Sequence, residues 1–441
     1  MAASIFDSAH LGRLVPTGET GRLFSDSAEI RAMMIVEGTL AQVQGRAGII
    51  PELSARAIHR ASLELQIDPS GLAEATGTNG VSVPALVAAF RDLMQAPEHA
   101  QYVHWGATSQ DIIDTALMLR LRQVLAQFDE GLRAALSALA RLAEAHAETP
   151  MAARTYGQHA TPTSFGAVAA SWGWPLLDLR DELAPLRARL CVSLAGAAGT
   201  AAELGDDPAG LRADFAEALG LADPGRSWHA DRGIILALAS WVTRTVVALS
   251  KMGEDLILAT QSGVAEVRLG GAGGSSTMPQ KQNPVAPSVL VALAKQARGH
   301  EAALMAAGAP RQSRDGAAWF TEWIALPPLC LSLAAALHHA TALAETLSPD
   351  ADAMRDVLDA SQGLLAAERL SFALTDRMPR PEAQAEVKAL CKAVVAEGGH
   401  LRDAALARWP DLDPGLFDAA RQMGQAPSEA RAFVAKVRSR G

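Results

Sequence analysis

The sequence predicts an all-α protein, and three observations carry that prediction. Alanine and leucine, both strong helix formers, dominate the apolar residues, which make up 49% of 441 positions against 5% aromatics. Apolar residues recur every third or fourth position over stretches too long for strands. No run of alternating residues demands a sheet. The length admits several domains and an ample core.

Residues 1–26 read as irregular, with Pro16, Gly18 and Gly21 marking turns. Ser25-Asp26-Ser27 supplies caps for a helix carrying Ile30, Met33, Met34, Glu37, Leu40 and Val43. Short helices follow around 52–66 and 82–95, with a loop at Gly77-Thr78-Asn79-Gly80. Next, Thr108 and Asp111 have capping-box spacing, and Ile113, Leu117, Leu121, Val124 and Phe128 begin an amphipathic helix. It should run roughly 35 residues, about 50 Å, too long for one small domain to cover.

Residues 149–163 form a polar interruption before a helical region from Ser164 to about Glu203, with kinks expected at Pro175 and Pro185. Helical periodicity returns over 231–262, 285–308 and 322–347, and shorter, more charged helices follow Ser348. The expected domains are 1–106, a central long-helix bundle at 107–348, and 349–441.

A net charge of −9 argues against nucleic-acid binding, so an anionic substrate would need a locally positive site. Three dispersed cysteines suggest neither disulfides nor a zinc cluster, and a reducing cytoplasm fits them. The N-terminus lacks the pattern of a signal peptide. The most apolar stretch, Gly233 to Thr243, is too short to span a bilayer. A soluble protein without a membrane partner is expected.

The unusual chemistry falls between the long helices. Gly270 to Pro284 is a glycine-rich, polar run that reads as a mobile functional loop. It can supply hydroxyls, an ammonium and a carboxamide together; a flexible linker is the alternative, which its Met278-Pro279 and Asn283-Pro284 steps oppose. His104 can be an acid or an anion ligand just before a helix N-terminus, where Thr108 and Ser109 offer hydroxyls. His159, beside Gln158, is either a structural donor or a site residue, and Trp228-His229 is equally open. No phosphate-binding loop, nucleophile elbow or metal-ligand spacing occurs, so neither cofactor nor metal is expected.

Gly274-Ser275-Ser276-Thr277-Met278-Pro279-Gln280-Lys281-Gln282-Asn283-Pro284 resembles the fumarase/aspartase superfamily signature, Gly-Ser-Ser-x-Met-Pro-x-Lys-x-Asn-Pro. The His104…Thr108-Ser109-Gln110-Asp111 and Arg154-Thr155-Tyr156-Gly157-Gln158 segments are similar to its other two regions. The resemblance implies three helical domains, with the central bundle shared across a homotetramer and each site built from three subunits. It implies proton removal next to a carboxylate and expulsion of a group from the β-carbon. Ser275 would be the general base, with Lys281 and Asn283 holding the substrate carboxylate.

Many superfamily members carry His where this chain has Tyr156. Bacterial 3-carboxy-cis,cis-muconate cycloisomerases carry an aromatic there, followed by Gln-His-Ala-Thr-Pro, as at Gln158–Pro162. Gly157 is the lyase-like residue. Trp228-His229-Ala230 and Glu322-Trp323 are similar to further runs of that family. The implied reaction interconverts 3-carboxymuconate and 4-carboxymuconolactone. Its acid would be His104, His159, Tyr156 or none, because a leaving carboxylate needs no proton. Arg154 and Lys281 would clamp a small polycarboxylate. An adenylosuccinate-lyase-like enzyme, and a catalytically silent homologue, are the other readings.

Overall fold

A computed structural model describes residues 4–271, 273–274, 278 and 281–440. The described chain is mostly helical, with three two-stranded sheets. It divides into two compact units. One comprises Met1–Gly131, Leu179–Val247 and Ala292–His338; the other comprises Leu132–Asp178, Ala248–Val291 and His339–Gly441.

In the first unit, Ser25 caps the Asp26–Arg46 helix by accepting from the Ala28 N–H, with Asp26 and Glu29 in the first turn. This helix packs on Glu52–Glu64 through small residues: a Cβ at Gly38 would lie 1.9 Å from Ser62 Oγ, and one at Gly45 2.3 Å from Ala55 Cβ. Their apolar faces join Ile112, Ala116, Leu204 and Phe215 in one buried cluster. Glu37 lies within that apolar face, 1% exposed.

Several local expectations change. Gly18–Arg22 and Ala73–Asn79 are short helices rather than turn and loop, and Gly80 closes the second with φ +72°. The helix expected to run roughly 35 residues is Ser109–Ala145, 37 residues long. Pro175 is accommodated within Phe165–Asp181, and Leu183–Ala188 is the last helix before residue 208. The expected helix to Glu203 is instead a buried extended segment over 190–196, followed by largely exposed turns to residue 203. Its backbone groups find partners elsewhere: Val192 N–H donates to Ala222 O, and Ser193 N–H to Thr115 Oγ1. Such pairing offsets the lost helical bonds.

In the second unit, the polar interruption is a β-hairpin, Pro150–Thr155 against Gln158–Ser164. Tyr156 and Gly157 form its two-residue turn with φ +54° and +73°, the left-handed pair that matches strand twist. Alternation was too short and too polar to announce these strands. Gly273–Gly274 pairs with Gln282–Asn283. Leu370, Leu374, Val387 and Leu401 form the core of the shorter C-terminal helices.

The apolar stretch after Arg232 continues through a 27-residue helix, Gly233–Ala259, which is long and apolar enough to cross a membrane, as is Gly316–Thr346. The expectation of a segment too short to span is therefore corrected. Most of each apolar window is buried within the protein, as in a core helix.

Candidate active site

The candidate residues fall into two groups, one in each unit. Ser275, the expected base, lies outside the described residues, as do Ser276 and Thr277.

The first group surrounds the N-terminus of the Ser109–Ala145 helix. Half of the expected capping box forms: Asp111 Oδ2 accepts from the Thr108 N–H at 3.1 Å. Thr108 Oγ1 instead accepts from Arg314 Nη2 at 2.9 Å. Asp111 does far more than cap. Its oxygens also accept from Ser193 Oγ, Ala195 N–H and Gly196 N–H at 2.9–3.0 Å. His229 Nε2 lies 2.8 Å from Oδ1, so the buried ring donates there, while its Nδ1 has no partner among the described residues. His229 thus anchors this helix start.

Arg314 was missed by sequence reasoning. Its Nε donates to Gln110 Oε1 at 3.0 Å, and Nη2 also reaches Ala197 O at 3.3 Å. Among the described residues no carboxylate pairs with it, because Asp315 pairs with Arg311. An arginine held only by neutral acceptors keeps its charge available to an anion. Beneath it, Gln110 donates to Asp114 Oδ2, and buried Arg232 bridges Asp114 and Glu322. Burial opposes Arg232's charge, but the two carboxylates outweigh it and raise its pKa. Burial raises the Glu322 pKa against the pull of Arg232.

His104 adopts φ +64°, uncommon for a residue with a side chain. Its Nδ1 lies 2.7 Å from Oε1 of buried Glu37, whose Oε2 has no partner among the described residues. Burial would lower the ring's pKa, but the charge and hydrogen bond of Glu37 and the charge of Asp111 outweigh burial and Arg91. The pKa is raised. Ser109, half-buried, occupies the first helical turn.

The second group centres on the hairpin. Arg154 and His159 face each other across the strands. Arg154 Nη1 lies 2.7 Å from Oε2 of fully buried Glu266, close enough for an ion pair, though neither Glu266 oxygen receives a directed hydrogen bond. Arg154, His159 and Glu266 line a cavity of about 660 Å³ with Phe165, Trp172 and Lys251. Tyr156 is fully exposed at the tip, and Gln158 is exposed beside it. Lys281 is exposed and Asn283 half-buried.

Glu37 and Glu266 were legible only as acids inside apolar runs. The first group offers arginine, histidine and amide donors, and the second arginine, histidine and lysine, each a set suited to carboxylates.

Comparison with known proteins places this set in context. A family described as Lyase matches residues 20–299. A 3-carboxy-cis,cis-muconate cycloisomerase of Pseudomonas aeruginosa is 39% identical, covering 94% of this chain and 92% of that protein. A nitrosuccinate lyase of Streptomyces davaonensis is 35% identical, covering 96% and 94%. The crystal structure of the 3-carboxy-cis,cis-muconate lactonizing enzyme of Pseudomonas putida aligns with a TM-score of 0.91 at 33% identity, covering 97% of this chain and 98% of that one.

Proposed function

This chain belongs to the lyase family, the fumarase/aspartase superfamily its motifs resemble, and on that footing we propose that it interconverts 3-carboxy-cis,cis-muconate and 4-carboxymuconolactone. The observation that carries the reading is near-full-length similarity to a cycloisomerase at 39% identity.

In the lactonising direction, a substrate carboxylate oxygen adds to a carbon–carbon double bond, and one proton is taken up at the adjacent carbon. In reverse, a base removes that proton and the carboxylate leaves. We assign the base to Ser275. A serine hydroxyl needs amides and a cation near it to act so, and Lys281 is close in sequence. Lys281 and Asn283 bind the carboxylate that takes up charge. His104 and His159 are the acid candidates, and Thr108, Ser109, Arg154, Tyr156 and Gln158 bind substrate. Arg314 joins them as an anion clamp, supported by its having only neutral partners among the described residues.

The reading extends to a soluble cytoplasmic homotetramer with three domains per chain and sites shared between copies. Loss of the conjugated-diene absorbance of 3-carboxymuconate tests the activity, with nitrosuccinate and adenylosuccinate run in parallel. Turnover of either alternative and none of the muconate would overturn it.

A further inference from the structure

We infer that Glu37 is a positioning residue for His104: its buried carboxylate fixes the imidazole with Nδ1–H inward and leaves Nε2 as the working nitrogen. This rests on the reading that His104 serves the site, and it adds the group that sets how His104 serves it.

The geometry is specific. Glu37 lies in the apolar face of the Asp26–Arg46 helix, 1% exposed, where a carboxylate has a high desolvation cost. Its Oε1 meets His104 Nδ1 at 2.7 Å, and its Oε2 has no partner among the described residues. A buried carboxylate satisfied chiefly by one imidazole favours the charged ring strongly. His104 in turn occupies a left-handed backbone conformation. Gly106, two residues on, cannot take a side chain without a Cβ coming within 2.4 Å of Glu203 O. The turn is therefore constrained at the ring and just after it. No second hydrogen bond holds the ring among the described residues, so Nε2 is left for a substrate. Three charged groups act on it: Glu37 and Asp111 favour its protonation, and Arg91 on the Val83–Met94 helix opposes it. Glu37 is the one in contact.

Such a pair keeps an imidazolium available above the pH where free histidine, near 6.5, has lost its proton. Replacing the carboxylate by an amide keeps the shape and removes the charge.

The test uses the full-length protein with ¹³C-labelled histidine. The His104 signal, identified by its loss in His104→Gln, is titrated in the wild type and in Glu37→Gln. The wild-type ring should titrate above the ordinary value, and Glu37→Gln should lower its midpoint by about one to two pH units. Glu37→Asp, which keeps the charge, should fall between them. An equal midpoint in the wild type and Glu37→Gln overturns the proposal. So does a wild-type midpoint at or below the ordinary value, which decides the matter even if Glu37→Gln fails to fold. These readings need no substrate, so failure to turn over 3-carboxymuconate is a separate outcome. In the active enzyme, the alkaline limb of kcat/KM should move down in Glu37→Gln with the ring, losing roughly ten-fold on that side for a one-unit shift. A uniform loss with an unmoved limb assigns Glu37 to structure alone and overturns the proposal.

Discussion

Arg314 Nη2 donates to Thr108 Oγ1 at 2.9 Å, so the hydroxyl expected to cap its own helix faces a guanidinium contributed from 206 positions away. Among the described residues no carboxylate pairs with that guanidinium. Arg314→Ala should therefore lower kcat/KM roughly 10- to 100-fold, the worth of a charge-assisted hydrogen bond. The loss should sit mainly in KM. Steady-state kinetics check this, and an unchanged KM would remove Arg314 from the binding groups.

Ser275→Ala should lower kcat by roughly 10²- to 10⁴-fold, the usual contribution of a general base. Helicity by circular dichroism should not change. Retained turnover would place the base elsewhere.

Asp114 and Glu322 both pair with Arg232 inside the first unit. Asp114→Ala removes two charge-assisted hydrogen bonds while Glu322 still pairs with the guanidinium, and should cost roughly 1.5–3 kcal/mol. Urea unfolding measures it directly. A loss below about 1 kcal/mol would mean that water reaches the pair.

Tyr156 occupies φ +54° at the hairpin tip, where asparagine is far more at home. Tyr156→Asn should leave thermal stability equal or raise it by up to ~1 kcal/mol. The same change should reduce kcat/KM at least ten-fold if the exposed ring contacts substrate. Undiminished activity would assign the ring to another task.

Burial pushes the Cys191 and Cys330 thiols up to about 11 and about 12, so both stay protonated at pH 8. Maleimide should label half-buried Cys391 first and reach the other two only on unfolding. Mass spectrometry of partly labelled protein distinguishes the order.

The long helices were legible because their periodicity repeats over many turns, as from Ile113 to Phe128. The hairpin was not, since Arg154 to His159 carries polar residues on both faces and only its base is buried. The stretch after Ala188 misled for another reason. Its alanines and leucines have helical propensity, but Thr115, Asp111 and Ala222 supply backbone partners that propensity cannot foresee. Among the candidate residues, His104 and Thr108 were legible through local spacing. Glu37 looked like one more position on a buried face, and Arg314 needed the fold to show its neutral partners.

Asp111 accepts hydrogen bonds from residues 82 to 85 positions away, and its partner His229 is 118 positions on. The Ser109–Ala145 helix can begin to form from local contacts alone, but the hydrogen-bonded cluster at its N-terminal end cannot. On a ribosome, that end stays incomplete until synthesis has passed His229, and Thr108 lacks its guanidinium until Arg314 emerges. Closing such loops is slow compared with helix growth. The site should therefore be among the last features to form, and a chain arrested before residue 314 should be helical without binding substrate.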